Sequence, residues 1–380
     1  MVVTQRSLSV GPWALVLVMC AAASARADTA ALQFRSAQGM VTLARAPQAA
    51  KRLSGPPSCW KGLPKLISAN PLYFEARLGP DQSAFALVLD ESKGTGKGYD
   101  LLYVDSRGDG DLSDIAPAKG ARKVLGDGRV SCQFTGLKAP TGDGKQIAPW
   151  AFSARFSVEQ IMLRWSRMGV FRSTTRSLRL TSAGYWEGTV ESGAKRLKVA
   201  VVDADSNGVF GEPIRVPKGD RSGSGRLSSS GGDYVLIDTD GDGRYAKELA
   251  AMETLGCGRY VLLSGRYYEL RISPSGQSLT LSPARAPLGR LSRAGGGRFV
   301  ASFLTPRDGM LYVRSAGGGV DMPAGTYQLF GCAYTAPGPK GAVWQATGRG
   351  TWAAAPVEVA AGRTTAAKFG PPLKVTVIAT

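Results

Sequence analysis

The sequence predicts a mainly β protein, in which a duplicated strand–acidic loop–strand region precedes a C-terminal β-sandwich. Three observations carry this. Short apolar runs from Leu72 onward alternate with clusters of Gly, Asp, Ser and Pro, the punctuation of strands and turns. The 49 glycines and 22 prolines follow no collagen-like period, so they mark turns. One acidic pattern also recurs at the ends of apolar runs.

The first 27 residues have the order of a cleavable export signal. Arg6 gives the positive end, Trp13–Ala23 the apolar centre, and Ala25-Arg26-Ala27 the small-residue exit. The apolar run is shorter than the ~20 residues a membrane helix needs. Met19 before Cys20 does not suit lipidation, so cleavage near Ala27 is expected. The chain is therefore expected to be exported (periplasmic, cell-surface or extracellular) with no transmembrane anchor. Beyond the signal lie Cys59, Cys132, Cys257 and Cys332, none in a C-x-x-C unit. An even count in an oxidising compartment suggests two disulfides, and three pairings are open.

The chain has no histidine, which excludes Ser-His-Asp and Cys-His catalysis and every His-ligated metal site. The formal charge is +18, and loss of Arg6 and Arg26 with the signal lowers it to +16. Such a field attracts polyanions, among them acidic glycans. The basic residues are scattered and no nucleic-acid motif is present, so nucleic acid is not expected as a partner.

Residues 28–71 hold Pro47, Pro56, Pro57 and Pro64 and little apolar alternation, which suggests an extended, partly ordered leading segment. Residues 72–176 and 177–286 are expected to be two β repeat domains, and residues 287–380 a β-sandwich. Strand candidates are Ala84–Leu89, Leu101–Val104, Ala151–Phe156, Ser177–Thr181, Leu197–Val202, Tyr234–Ile237, Tyr267–Ile272 and Ser278–Leu281. Val158–Arg167 fits a helix or a strand equally. The repeat matches Asp100-Leu-Leu-Tyr-Val-Asp105-Ser-Arg-Gly-Asp109-Gly110 to Asp233-Tyr-Val-Leu-Ile-Asp238-Thr-Asp-Gly-Asp242-Gly243. Upstream of each lies a strand ending in Asp, at Asp90 and Asp203. The loop after Asp90, with Gly94-Thr-Gly96-Lys-Gly98, lacks ligand spacing and no helix follows it.

Three loops have calcium spacing. Calcium takes six to eight oxygens; acids at loop positions 1, 3 and 5, a turn glycine at 6 and the carbonyl of 7 supply them. The fullest is Asp238-Thr-Asp240-Gly-Asp242-Gly243-Arg244, with Glu248 at position 11. The second is Asp203-Ala-Asp205-Ser-Asn207-Gly208-Val209, with Glu212 at position 10. The third, Asp105-Ser-Arg107-Gly-Asp109-Gly110-Asp111, has Arg at position 3, with Asp111 and Asp114 as substitutes. The position-7 carbonyls of Arg244 and Val209 complete the first two sets. None has the position-12 Glu of an EF-hand, so a weak extracellular affinity of ~10⁻⁴–10⁻³ M is expected. Asp-Gly and Asn-Gly are also favoured metal-free turns, but two full ligand patterns exceed what turn preference supplies.

Other signals are weaker. Ser58-Cys-Trp-Lys61 has S-x-x-K spacing without its partner elements. A glycosidase pair among Glu75, Glu91, Glu159, Glu187, Glu191 and Glu269 has no separation to test. Trp150, Trp165, Trp186, Trp344 and Trp352 suit a core better than a sugar platform.

The acidic loops between strands resemble those of secreted bacterial β proteins of uncharacterised role. They are also similar to the calcium loops of dockerin and thrombospondin type 3 repeats, without the dockerin helices. This likeness spans about Leu72–Pro283. The C-terminal block, on Pro323-Ala-Gly-Thr-Tyr327 and Val357–Gly362, resembles the transthyretin-like regulatory β-sandwich of carboxypeptidases, which implies an accessory module without catalytic residues. The expected function is a calcium-binding exported protein with a structural or interaction role. The alternatives are a module for extracellular glycans or other polyanions, and a carboxylate-based hydrolase.

Overall fold

In a computed structural model the chain is described over residues 27–36, 46–95, 98–124, 130–142, 147–165, 169–192, 195–215, 231–293, 298–337, 343–349 and 355–367. These residues form 27 strands and no helix, so the protein is mainly β. The first part holds β1 (Asp28–Ala31), β2 (Gln33–Ser36), β3 (Gln48–Ala49), β4 (Lys51–Leu53), β5 (Leu72–Leu78), β6 (Ser83–Asp90), β7 (Leu101–Val104), β8 (Ala118–Lys119) and β9 (Ala121–Val124). The middle holds β10 (Val130–Gly142), β11 (Ile147–Trp165), β12 (Gly169–Ser182), β13 (Gly184–Ser192), β14 (Lys195–Val202), β15 (Tyr234–Ile237), β16 (Thr254–Gly256), β17 (Tyr260–Leu263), β18 (Arg266–Ile272) and β19 (Ser278–Pro283). The last part holds β20 (Leu288–Arg293), β21 (Arg298–Thr305), β22 (Gly309–Ser315), β23 (Val320–Pro323), β24 (Gly325–Pro337), β25 (Val343–Arg349), β26 (Val357–Val359) and β27 (Thr364–Ala367).

All eight strand candidates lie within strands. Val158–Arg167 resolves as strand up to Trp165, inside β11, which pairs with β12 from Phe152↔Ser182 to Trp165↔Gly169. The cross-strand partner, absent from any local pattern, decides the ambiguity. The expected border at 176/177 falls inside β12. The export-signal residues are described only at Ala27, and the terminal run Lys374–Ile378 lies outside the described residues.

β6 and β14 carry unbroken apolar runs because both of their faces are covered. In β6, Leu87 and Leu89 enter the main core, while Ala86 and Val88 meet Tyr103 and Leu112. In β14, Val199 and Val201 enter the main core, and Ala200 and Val202 meet Leu236 and Tyr245. The main core joins Phe74, Phe134, Phe152, Leu178, Leu180 and Ile237, all without solvent exposure. Each such side chain contributes about 1.5–3 kcal/mol by leaving water.

The leading segment is more ordered than its prolines suggest. It supplies edge strands to four sheets: β1 pairs β19, β2 pairs β13, β3 pairs β12 and β4 pairs β5. These pairs are non-local, so local composition does not encode them.

After β19 the chain builds a three-stranded sheet, β23-β20-β27, and a second sheet containing β22-β21-β24-β25. Side chains of both sheets, including Leu291, Phe303, Val313 and Met322, share one buried cluster. This region joins the preceding one at Gly258↔Gly309, where the Cys257 carbonyl accepts the N–H groups of Ile214 (3.0 Å) and Met310 (3.3 Å). A Cβ on Gly258 would strike the Met310 backbone.

No disulfide joins the cysteines among the described residues. Cys59, Cys132, Cys257 and Cys332 are all free, because each stands on a different part of the fold. Burial pushes the Cys132 thiol up to about 11 and the Cys257 thiol well above its ordinary value. A neutral-pH thiol reagent is therefore expected to label Cys59 alone in the native protein and all four after unfolding, counted by mass. Gly258→Ala is expected to cost about 1–3 kcal/mol in urea unfolding, from overpacking at the junction.

Candidate metal centre

Two three-carboxylate clusters form where strands end, and each includes an acid outside the loop pattern. Asp203 and Asp205 meet Asp233, with one oxygen of each within 4.8 Å of the others. Asp238 and Asp240 meet Glu253 in the same way.

The first cluster is built by β14 and β15, which pair Val202↔Tyr234 and so put Asp203 and Asp233 beside each other. Asp203 accepts N–H groups from Asn207 (3.1 Å) and Gly208 (3.0 Å). Asp205 accepts them from Asn207 and Gly232, both at 3.3 Å. Asp233 takes Ala204 N–H at 3.0 Å and Glu212 N–H at 3.1 Å. The intervening Ser206 holds a left-handed φ of +59°, and its hydroxyl accepts Ser182 N–H. Outside support comes from the leading segment, where Ala46 N–H and the Gln48 side-chain amide bind the carbonyls of Ala204 and Asp205.

Electrostatically this cluster concentrates acidic groups away from water. Asp203 and Asp233 have no solvent exposure. Burial, and then the neighbouring Asp203, hold the Asp233 carboxyl well above its usual range. Burial also raises Asp205. Two carboxylates about 5 Å apart repel by on the order of 3 kcal/mol at an effective dielectric constant of 20. Among the described residues neither Asp205 nor Asp233 pairs with a Lys or Arg. A divalent cation or a bound proton relieves this arrangement.

The second cluster follows β15. Asp238 accepts Gly241 N–H at 2.7 Å and Gly243 N–H at 2.9 Å. Asp240 accepts Asp242 N–H, and Asp242 accepts Arg244 N–H. Glu253 is buried and collects Thr239 N–H (3.0 Å), the Thr239 hydroxyl (3.1 Å) and Ala246 N–H (2.9 Å). Met252, at a left-handed φ of +57°, turns the chain immediately before it.

Several expected ligands stand outside the two clusters or have partners within their own loop. Asp242 is exposed and outside the cluster, and Glu248 is likewise absent from it; Glu253 stands there. Asn207 donates its side-chain amide to Glu212 and accepts Val209 N–H. Asp105 keeps the loop geometry, accepting Gly108 N–H (2.7 Å) and Gly110 N–H (2.9 Å). There, however, the Arg107 guanidinium pairs with Asp109 at 3.3 Å and Asp114 at 2.6 Å, so the third loop contains its own cation. Asp111 bridges to Gly62 and accepts Ser113 N–H and hydroxyl, which holds its carboxyl below the ordinary range.

The slot after β6 has the same wiring with different chemistry. Asp90 pairs with Leu101, so Glu91 stands where Asp203 stands in the second hairpin. Asp100 accepts Ser92 N–H as Asp233 accepts Ala204 N–H. Hydroxyls of Ser68 and Thr95, with Gly98 N–H, occupy Glu91.

Sequence reasoning missed Asp233 and Glu253 as cluster members. Asp233 was signalled by its place before β15, matching Asp100 before β7. Glu253 lies beyond any twelve-residue loop window and carries no such signal. Of the tryptophans considered, only the Trp186 side chain is described; it is half-buried against the core and edge-on to Phe34 at 5.7 Å. No family model, no curated protein and no solved structure matches the chain.

The raised Asp233 carboxyl sets a pH dependence in chelator. Its folded form keeps a proton that the unfolded chain releases above about pH 4, so its contribution is present at low pH and lost as pH rises through the raised value. Asp233→Asn cannot titrate. The melting temperature of wild type minus that of Asp233→Asn in EDTA is therefore expected to fall as pH rises from about 4 to 8; a rise in that difference would contradict it.

Proposed function

We propose that the chain is an exported calcium-binding β protein with a structural or interaction role, its ions holding inter-strand loops in place. The observation that carries this is the burial of Asp203 and Asp233 beside Asp205. Clustered buried carboxylates need a compensating cation, and an all-oxygen donor set suits a hard one. Asp203, Asp205 and Asp233 would hold one ion, and Asp238, Asp240 and Glu253 a second. The Asn207 and Asp242 oxygens and the Val209 and Arg244 carbonyls are the further donors expected from loop spacing.

The role assigned to the ions is mechanical. The residues after Asp203 lead to Ile214, which is buried against Leu304 and Met310 of the C-terminal region. An ion at Asp233 therefore stabilises the same backbone that carries the junction. Likeness to dockerin-type loops and to transthyretin-like accessory sandwiches agrees with a non-catalytic role, as does the absence of histidine.

Calcium at about 10 mM is expected to raise the melting temperature of chelator-treated protein. A dissociation constant of ~10⁻⁴ M gives about 2.7 kcal/mol. Asp203→Ala combined with Asp238→Ala should remove the shift. Glu253→Gln is expected to weaken calcium binding about tenfold in titration calorimetry, while Glu248→Gln leaves it unchanged. An unshifted wild type would reject the reading.

A further inference from the structure

We propose that the outer face of the β2–β13–β14 sheet is a groove that binds acidic polysaccharide, a chain bearing carboxylate or sulfate groups among free hydroxyls. The pairing pattern creates it. Trp186, Val190, Val199 and Val201 point into the main core, so alternation sends Glu187, Thr189, Arg196 and Lys198 outward. β2 adds Gln33 opposite Glu187, and Arg35 next along the strand pairing. Together these six side chains line an open groove of about 510 Å³.

The charges are arranged for an anion with neutral polar groups. Arg35, Arg196 and Lys198 face one carboxylate, Glu187, which leaves two positive charges in excess. Arg196 is exposed and makes no hydrogen bond or ion pair among the described residues; Glu191 stands opposite it in register without pairing. Lys198 is held by Glu187 at 3.0 Å, the Gly243 carbonyl at 3.3 Å and the Tyr245 ring at 5.2 Å. Glu187 is also held by Arg35 at 3.7 Å and the Tyr245 hydroxyl at 3.2 Å. Such pre-ordering reduces the entropy lost on binding. β2 and β14 flank β13, so the strands that carry these cations stand about 10 Å apart, two strand spacings.

The mixture selects among polyanions. Glu187 in the groove repels closely spaced phosphates, and the Tyr245 ring is covered by Lys198, which leaves no open platform for a base there. Sugar hydroxyls can donate to Glu187 and exchange hydrogen bonds with Thr189 and Gln33. The protein's overall positive charge draws such chains in. None of the six lining side chains belongs to either carboxylate cluster, so the inference stands apart from the calcium reading.

Titration calorimetry of the whole chain tests it, at about 0.15 M salt in calcium and again in EDTA. The probes are dextran sulfate and polygalacturonate, which separate sulfate from carboxylate, with neutral dextran, polyglutamate and single-stranded DNA as comparisons. At least one acidic polysaccharide should bind, and Arg196→Glu should weaken it about tenfold, with Arg35→Ala added to it weakening it further. Lys65→Glu with Arg363→Glu, exposed in loops away from the groove, should change affinity less than about twofold. Circular dichroism confirms that each variant is folded. Silence with both acidic polysaccharides, equal loss in the control variant, or tighter binding of DNA or polyglutamate would overturn the proposal. Binding lost in EDTA yet retained by Arg196→Glu would also overturn it, as calcium bridging.

Discussion

Asp233 is the constraint on which much of this structure turns. Its carboxylate holds Ala204 and Glu212 N–H groups, and its own N–H returns to the Glu212 carbonyl at 2.9 Å. Its carbonyl accepts Cys257 N–H at 2.8 Å, and the Cys257 carbonyl accepts both Ile214 and Met310. One buried residue thus ties the loop after β14 to the start of β15, to the end of β16 and to the C-terminal sheets. A charge in that position cannot be left alone, because neither water nor a basic side chain among the described residues reaches it.

The chain handles the same problem in different ways. Around Asp203 and around Asp238, acids converge with an oxygen-only donor set. Around Asp105, Arg107 brings a covalently attached cation to Asp109 and Asp114. At Glu91, the hydroxyls of Ser68 and Thr95 and the Gly98 N–H donate to the carboxylate. The backbone hardly differs among these places: at the three metal-type loops the first Asp takes the glycine N–H five residues on. What differs is the residue placed against it, so loop shape does not by itself decide what stands beside the first Asp.

The fold was largely legible where burial is two-sided. Val199 to Val202 and Leu87 to Leu89 read as strands because every residue is apolar, and both faces of those strands are covered. Legibility failed where order depends on a distant partner. Residues 28–53 look like a tether but form four edge strands, since their hydrogen bonds go to β19, β13, β12 and β5. Val158–Arg167 was undecided for the same reason.

By itself the sequence determined that this is a β protein, and that Asp203, Asp205, Asp238 and Asp240 stand at strand ends in loops of metal-binding spacing. Those features are local: period-two burial and acids within a few residues of a turn. Only the tertiary structure decided that Asp233 and Glu253 complete the two clusters, that Arg107 closes the third loop, and that the cysteines stay apart. The Arg107 pairs lie within one loop, but the completed clusters and the separated cysteines depend on which strands lie side by side. Spacing along a chain fixes distances over about one turn, whereas convergence of acids from separate strands is set by sheet register.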